Sequence, residues 1–237
     1  MSLETIISVA FYASALGFLI ASIVTGLAWS KVGKSALGTV LSYLFIGTST
    51  FFIITVFQNL GAESFGIDDT SMDFWWHIMF YLAMVSYFLG FRALTKLGTK
   101  ENVGSTLSWG IFSVVVLVLC FVLPGMTDSY VQMYMSSMIA DLGLHHFLAF
   151  AIAGTVAGYL FNAKKNLGQI GQAIANPMLI AVSAFAIQHF WELLNESWKV
   201  VVVTSDVGEG GEKIFLIIAA VCVIIAATRL KALARAS

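Results

Sequence analysis

The sequence predicts an all-α integral membrane protein, a bundle of seven transmembrane helices with the N-terminus outside and the C-terminus in the cytoplasm. Composition, seven apolar runs and the distribution of basic residues all point to this fold class. Of the 237 residues, 59% are hydrophobic and 11% are charged, with a mean hydropathy of +0.91. A soluble domain carries roughly 25% charged residues, so most of this surface is expected to face lipid.

Seven apolar runs have the length of membrane spans. A bilayer core about 30 Å thick takes ~20 apolar residues as a helix. The expected spans are residues 5–29, 36–58, 74–95, 105–123, 143–162, 175–195 and 214–230. No linker or low-complexity run divides the chain, so residues 1–237 are expected to form a single transmembrane domain. The first run has no basic residues before it and is as long as a span, so a membrane helix is expected rather than a cleaved signal peptide.

Three short segments carry their own signals. Asn176-Pro177 is typical of a helix N-cap followed by proline at the first helical position, so the sixth span is expected to begin there. Residues 127–141, rich in Met and Tyr, are expected to form an interfacial segment rather than a span. Residues 200–203 fit either an extension of the sixth helix or an exposed strand.

Basic residues fall almost entirely on one side of the predicted bundle. With alternating loops and an outside N-terminus, ten of the twelve lie on one side, and the other side has only Lys199 and Lys213. The ten are Lys31, Lys34, Arg92, Lys96, Lys100, Lys164, Lys165, Arg229, Lys231 and Arg235. Cytoplasmic loops are enriched in Lys and Arg, so that side is expected to be cytoplasmic. An even number of spans would scramble the segregation.

All four histidines lie near the outer ends of predicted spans. His77 is one turn into the third span, His145 and His146 open the fifth, and His189 is near the end of the sixth. Ionisable groups inside a bilayer are costly and tend to face the bundle interior. We therefore expect imidazoles from three helices to meet at one depth below the outer surface.

Carboxylates share the helix faces of these histidines. Asp73 precedes His77 by four residues and Glu192 follows His189 by three, and residues at these spacings are neighbours on a helix. Imidazole suits zinc, copper or iron, and a carboxylate can be a ligand or hold the ring through its second nitrogen. An imidazole pair could also be axial to haem iron. The pattern predicts a metal or haem site formed by His77, His145, His146, His189 and Glu192.

Adjacent histidines cannot easily serve one centre. Residues next to each other on a helix point about 100° apart, so at most one of His145 and His146 easily faces a shared ion. Asp141 lies four residues before His145. Asp141 and Asp73 could instead be helix N-caps or solvated loop residues.

A second interpretation places the histidines and Glu192 at headgroup level, satisfied by water or by neighbours such as Lys199. The distance between His77 and His189 separates the two interpretations. Ring nitrogens within about 4–5 Å of each other would fit two ligands on one metal ion at 2.0–2.1 Å each.

Two seven-helix families lack support in these residues. Rhodopsins need a lysine in the middle of the last helix, whereas Lys213 precedes the last expected span. Zinc hydrolases of the ceramidase and adiponectin-receptor type have a histidine pair near the end of the chain, and no histidine follows His189. No family is assigned.

The functional expectation is a multi-pass protein of the plasma membrane with a transition metal (Cu, Zn or Fe) or haem near its outer face. Redox chemistry, electron transfer or metal handling would be its role. The alternative is a non-catalytic subunit of a larger membrane complex, binding other subunits or a lipid, quinone or pigment. Ion transport ranks lower because no ionisable residue lies at the centre of a span. A net charge of −1 gives no reason to expect nucleic acid.

Overall fold

The computed structural model describes residues 3–97 and 106–236, and within these ranges the chain is helical with no β-strand. The α-helices are α1 (Leu3–Val32), α2 (Ala36–Phe65), α3 (Asp69–Thr95), α4 (Thr106–Val122), α5 (Pro124–Tyr130), α6 (Leu144–Ala163), α7 (Gln169–Glu192) and α8 (Ser205–Ala236). Short π-helical segments lie at Val131–Met135, Ser137–Asp141 and Leu193–Ser197, and a 3-10 turn at Lys164–Asn166.

Within the described ranges, six helices are long and apolar enough to cross a membrane. These candidate spans are Thr5–Val32, Ala36–Gln58, Asp69–Thr95, Leu144–Asn166, Gly171–Ser197 and Val207–Arg235. The prediction of an all-α, multi-pass bundle is therefore confirmed. The fourth predicted span corresponds to α4, a shorter apolar helix of 17 residues, which is at the lower limit for crossing a bilayer.

The helices pack in a closed order around one core. Helix α1 lies between α2 and α8, α7 packs on α8 and α6, and α3 packs on α2 and α6, while α4 lies at the margin against α2 and α3. Helices α2, α4 and α7 finish at the end of the bundle where α3, α6 and α8 begin. We call this the histidine end, because the histidines of α3, α6 and α7 lie there.

The connection between α2 and α3 is shorter than the gap between the second and third expected spans, 36–58 and 74–95. Helix α2 ends at Phe65, and its C-cap is Gly66, whose φ of 61° is in the left-handed region. Helix α3 is capped by Asp68, whose carboxylate accepts hydrogen bonds from the backbone N–H groups of Thr70 (2.9 Å) and Ser71 (3.3 Å). The N-cap role is therefore taken by Asp68, and Asp73 lies inside the helix.

The predicted start of the sixth span at Asn176-Pro177 is wrong. Helix α7 begins at Gln169, and Pro177 lies inside it. Proline has no N–H and so leaves the carbonyl four residues earlier without its helical partner. Arg229 of α8 donates a hydrogen bond to that carbonyl, of Ala173. A neighbouring helix thus satisfies the polar group that the proline leaves free, which a reading of α7 alone could not anticipate.

Residues 200–203 adopt neither of the two expected conformations. They form an irregular turn between α7 and α8. The backbone N–H groups of Val200 and Val201 both donate to the carbonyl oxygen of Leu194, at 2.9 and 3.2 Å. These bonds fold the chain back over the last turn of the preceding helix.

Aromatic rings fill the middle of the bundle. The rings of Phe51 and Phe185 stack with centroids 4.3 Å apart and an interplanar angle of 7°, and Phe80 and Tyr87 pack against Phe51. The side chains of all four are at most 1% exposed. Burial of large aromatic side chains is among the strongest contributions to core packing, so this layer ties α2, α3 and α7 together beneath the histidine end.

Candidate metal site

Three helices bring all four histidines together at the histidine end. His77 lies in α3, His145 and His146 in the first turn of α6, and His189 in the last turn of α7. None is more than 7% exposed. The rings lie close to one another, and the centroids of His77 and His189 are 5.2 Å apart. The histidines are therefore buried in the bundle and not spread over its headgroup-level surface.

The start of α6 is positioned by a glycine and a tyrosine. Gly143 has a φ of 62°, and a Cβ atom there would collide with the side chain of Ser197, in the π-helical segment that follows α7. Glycine therefore allows both the backbone conformation and the close approach. From α3, the hydroxyl of Tyr81 donates to the carbonyl oxygen of His145 at 3.0 Å. These contacts hold the first turn of α6 between α3 and α7.

Four buried side chains form a group that could hold a metal ion, and we call it the His3Glu group. One ligand atom from each lies within 4.8 Å of the others, and the members are His77, His146, His189 and Glu192. Oε2 of Glu192 lies 2.6 Å from Nδ1 of His189 and 3.0 Å from Nδ1 of His146. Gln188 donates to the other carboxylate oxygen at 2.9 Å. The contacts with His189 and Gln188 are hydrogen bonds, and they place the carboxylate of Glu192 among the buried imidazoles.

A second group, which we call the Asp73 group, lies beside the first and shares His77 with it. Its members are Asp73, His77 and His145, again with ligand atoms within 4.8 Å. Oδ2 of Asp73 lies 2.5 Å from Nε2 of His145, and Oδ1 lies 3.2 Å from Nδ1 of His77. That Nδ1 is also 2.8 Å from the backbone carbonyl oxygen of Asp73. The adjacent histidines of α6 thus reach different carboxylates, as their divergence along a helix requires.

Every one of the four imidazoles has a buried ring nitrogen without a hydrogen-bond partner. These nitrogens are Nε2 of His77, Nδ1 of His145, Nδ1 of His146 and Nε2 of His189. Nδ1 of His146 is close to Glu192, but its direction does not make a hydrogen bond. A buried polar atom without a partner costs about 1–3 kcal/mol. Four such atoms in one place are the pattern expected where a ligand binds.

A cavity of about 550 Å³ reaches this cluster and is lined by atoms of both groups. Six carboxylates line it, those of Asp69, Asp73, Glu192, Glu196, Glu209 and Glu212. Lys213 is the cation in the lining. A cleft lined by charge of one sign concentrates ions of the opposite sign. The cavity therefore favours the entry of cations.

Lys213 and Glu212 stand where α8 meets α1. Both are buried, and Nζ of Lys213 lies 3.4 Å from Oε2 of Glu212 and 5.1 Å from the ring centroid of Phe11. Lys213 and Gln58 also line a second cavity, of about 190 Å³, between α1 and α8. The sequence placed Lys213 just before the last span, but α8 begins eight residues earlier and carries it into the bundle.

The structure brings together all five residues predicted from the sequence, but divides them between two groups. Glu192 contacts histidines, and Lys199, its alternative partner, is exposed. Asp141 is exposed, and the carboxylate beside His145 comes from Asp73 of another helix. Glu196, seven residues after His189 and so on the same helix face, lies in the cavity lining. Gln188 and Glu212 were not anticipated. Gln188 lies four residues from Glu192, so helix periodicity could have indicated it, whereas Glu212 needed the packing of α8.

The fold and these groups define a multi-pass, membrane-like helical protein with buried histidine and glutamate side chains that could hold a metal ion. No family model matches the chain, and no curated protein or solved structure matches it. A fold alone does not assign an activity. Function is therefore inferred from the chemistry of the site.

Proposed function

We propose that this protein binds a transition metal ion near the outer face of the membrane and acts in metal handling. His77, His146, His189 and Glu192 are the proposed ligands. One observation carries the proposal: three imidazoles and a carboxylate from three helices lie within 4.8 Å of one another, all buried, with a ring nitrogen of each histidine unpartnered. Neutral imidazole and carboxylate together suit Zn²⁺, Cu²⁺ or Fe²⁺.

A bare ion fits this geometry better than haem. Axial imidazoles lie on opposite faces of a porphyrin, with the macrocycle between them. Here the rings pack directly on one another, with centroids 3.9 Å apart for His145 and His146 and 4.6 Å for His77 and His145. Trp76 and Phe80 close the space beside His189. Haem is therefore not part of the proposal.

Metal handling is favoured over electron transfer by the cavity. Its six carboxylates give a cation a route from the aqueous side to the His3Glu group, as electrostatic focusing predicts. An electron-transfer centre has no need of such a route. The second nitrogen of His77 faces the carboxylate of Asp73, which is outside the His3Glu group, and this arrangement orients metal-binding histidines.

Metal analysis of the purified protein tests the proposal. The protein in detergent is stripped with a chelator, loaded with Zn²⁺ or Co²⁺, and freed of excess metal. We expect stoichiometric metal and, with Co²⁺, the visible bands of a nitrogen- and oxygen-ligated ion. Glu192→Gln should lower the affinity by about 10–100-fold. Asp141→Asn is the matched control because Asp141 is exposed and outside both groups. Absence of stoichiometric metal in the wild-type protein rejects the proposal.

We also propose seven crossings, with the N-terminus outside and the C-terminus in the cytoplasm of a plasma membrane. Contacts of α4 support the seventh crossing. The indole N–H of Trp109 donates to Ser86 near the middle of α3 (3.0 Å), and the ring of Phe121 meets Phe57 near the end of α2 (5.1 Å). Helix α4 thus runs alongside its neighbours through the apolar layer. The segregation of basic residues supports the direction.

Site-specific labelling tests this topology. Single cysteines placed at Asp141 and at Lys164, in a background without the two native cysteines, are exposed to a membrane-impermeant thiol reagent on intact cells. We expect the residue 141 probe to react from outside and the residue 164 probe only after lysis. The reverse result rejects the orientation, and reaction of both from outside rejects the span between them.

Membership of a larger membrane assembly is the second candidate. The segment from α5 through Asp141 carries exposed apolar side chains outside the candidate spans, of which Met126 and Met133 are 73% and 67% exposed. Flexible methionine side chains suit adaptable binding surfaces. Stable co-purification of other membrane subunits, without metal in the site, would favour this function over metal handling.

A further inference from the structure

The Asp73 group has features that a single ion in the His3Glu group leaves unexplained. His145 is buried, its Nε2 lies 2.5 Å from Asp73, and its Nδ1 has no partner. His145 does not belong to the His3Glu group. If Asp73 only oriented His77, it would not need a second buried imidazole on its other oxygen.

His77 stands between the two groups. Its Nδ1 faces Asp73, at 3.2 Å from the carboxylate, while its Nε2 is buried without a partner. Its ring centroid is 4.6 Å from that of His145 and 5.0 Å from that of His146. A neutral imidazole binds one metal ion, through the nitrogen without a proton, which is Nε2 here because Nδ1 donates to the backbone carbonyl oxygen of Asp73. For Nδ1 to bind a second ion, its proton must be released as the ion binds. His77 is therefore placed to serve both groups.

The lining of the cavity is acidic beside Asp73 as well as beside Glu192. Of its six carboxylates, those of Glu192 and Glu212 are buried, that of Asp73 is partly buried, and the other three are exposed. A cleft lined by charge of one sign concentrates ions of the opposite sign. The same lining that favours a cation in the His3Glu group therefore favours one next to Asp73.

We propose that the cluster holds two metal ions side by side, one in the His3Glu group and one bound by Asp73 and His145, with His77 shared between them. This inference rests on the proposed function, since it adds a second ion to the same site. The ligand class is the same, a divalent ion of the zinc, copper or iron type. Two neighbouring ions would let the protein store or pass on metal in steps.

Titration of the metal-free protein in detergent with Zn²⁺ tests the second position. We expect two ions per wild-type chain, and one ion per chain in Asp73→Asn and in His145→Ala. Asp141→Asn, the matched control, should keep two. Circular dichroism and gel filtration of each variant show that the fold is retained. One ion in the wild-type chain, unchanged in His145→Ala, overturns the inference and leaves the proposed function standing. No ion removes both.

Copper spectroscopy tests the same point without any substitution. Wild-type protein is loaded with increasing Cu²⁺, and the paramagnetic resonance signal is compared with the copper bound. Two ions sharing His77 should interact, so the signal per ion should weaken or broaden as loading passes from one to two. A signal that stays proportional to bound copper, with an unchanged shape, contradicts a shared histidine.

Discussion

The histidine end and the middle of the bundle differ in whether their buried polar atoms have hydrogen-bond partners. Of the eleven buried side-chain atoms without a hydrogen-bond partner among the described residues, nine belong to the histidine end and only those of Thr50 and Tyr87 to the middle. Elsewhere in the middle, hydroxyls bond to their own helices, as Ser86 does to the Leu82 carbonyl oxygen (2.8 Å) and Thr55 to that of Phe51 (3.1 Å).

This difference separates stability from function within the same helices. Apart from the hydroxyls of Thr50 and Tyr87, the buried polar atoms of the middle bond within the protein, and its stacked rings need no ligand. Unpartnered imidazole nitrogens lower the stability of the folded protein. A bound ligand that bonds to these four nitrogens would remove that penalty. The middle is therefore expected to determine stability, and the histidine end to determine ligand binding.

The largest expected effect on stability comes from the middle. Phe51→Ala removes a ring that stacks on Phe185 at 4.3 Å and packs on Phe80. Truncation of a buried phenylalanine costs about 3–5 kcal/mol, which should appear as a lower midpoint of unfolding in detergent. Phe112→Ala, at a side chain of α4 that is 51% exposed, is the control and should change little. Loss of metal from folded Phe51→Ala protein would show that the two regions are not separable.

At the histidine end, His189→Ala should act on metal binding instead. It removes a proposed ligand and leaves Glu192 without its 2.6 Å partner. We expect the affinity for Zn²⁺ to fall by at least about 100-fold, as measured by competition with a chelator of known affinity. Ile187→Ala, two residues away and half exposed, should bind like the wild type. Unchanged binding by His189→Ala would exclude this histidine as a ligand.

Much of the fold was predictable because membrane helices are encoded locally. The hydropathy of about 20 residues is enough to indicate a span, and six of the seven expected spans have counterparts among the candidate spans. Helix ends were less predictable because distant residues decide them. Pro177 is typical of a helix start, but α7 begins at Gln169. Arg229, 52 residues after the proline, donates to the Ala173 carbonyl that the proline leaves without a helical partner.

The site was predictable in membership and not in arrangement. The cost of ionisable groups in a bilayer predicted inward-facing histidines near one depth, and helix periodicity paired His189 with Glu192 and His77 with Asp73. The division into two groups depends on how the first turn of α6 lies between α3 and α7, where Gly143 packs closely on the π-helical segment after α7. The pairing of Asp73 with His145 joins residues 72 positions apart in the chain, and no local spacing indicates it.

The smallest expected effect comes from Arg229, at the end of the bundle opposite the histidines. Arg229→Met removes the donor to the Ala173 carbonyl and leaves that group, freed by Pro177, without a partner in α7 or α8. Because a lost hydrogen bond of this kind is worth about 1 kcal/mol, we expect a small fall in the unfolding midpoint and full metal content. Arg235→Met, further along α8, removes the same charge without this bond and should have no such effect. If the two single variants lower the unfolding midpoint equally, the effect is due to loss of charge and not to the hydrogen bond. The Ala173 carbonyl would then not need Arg229 as its partner, and the contrast between this end of the bundle and the unpartnered histidine end would be lost.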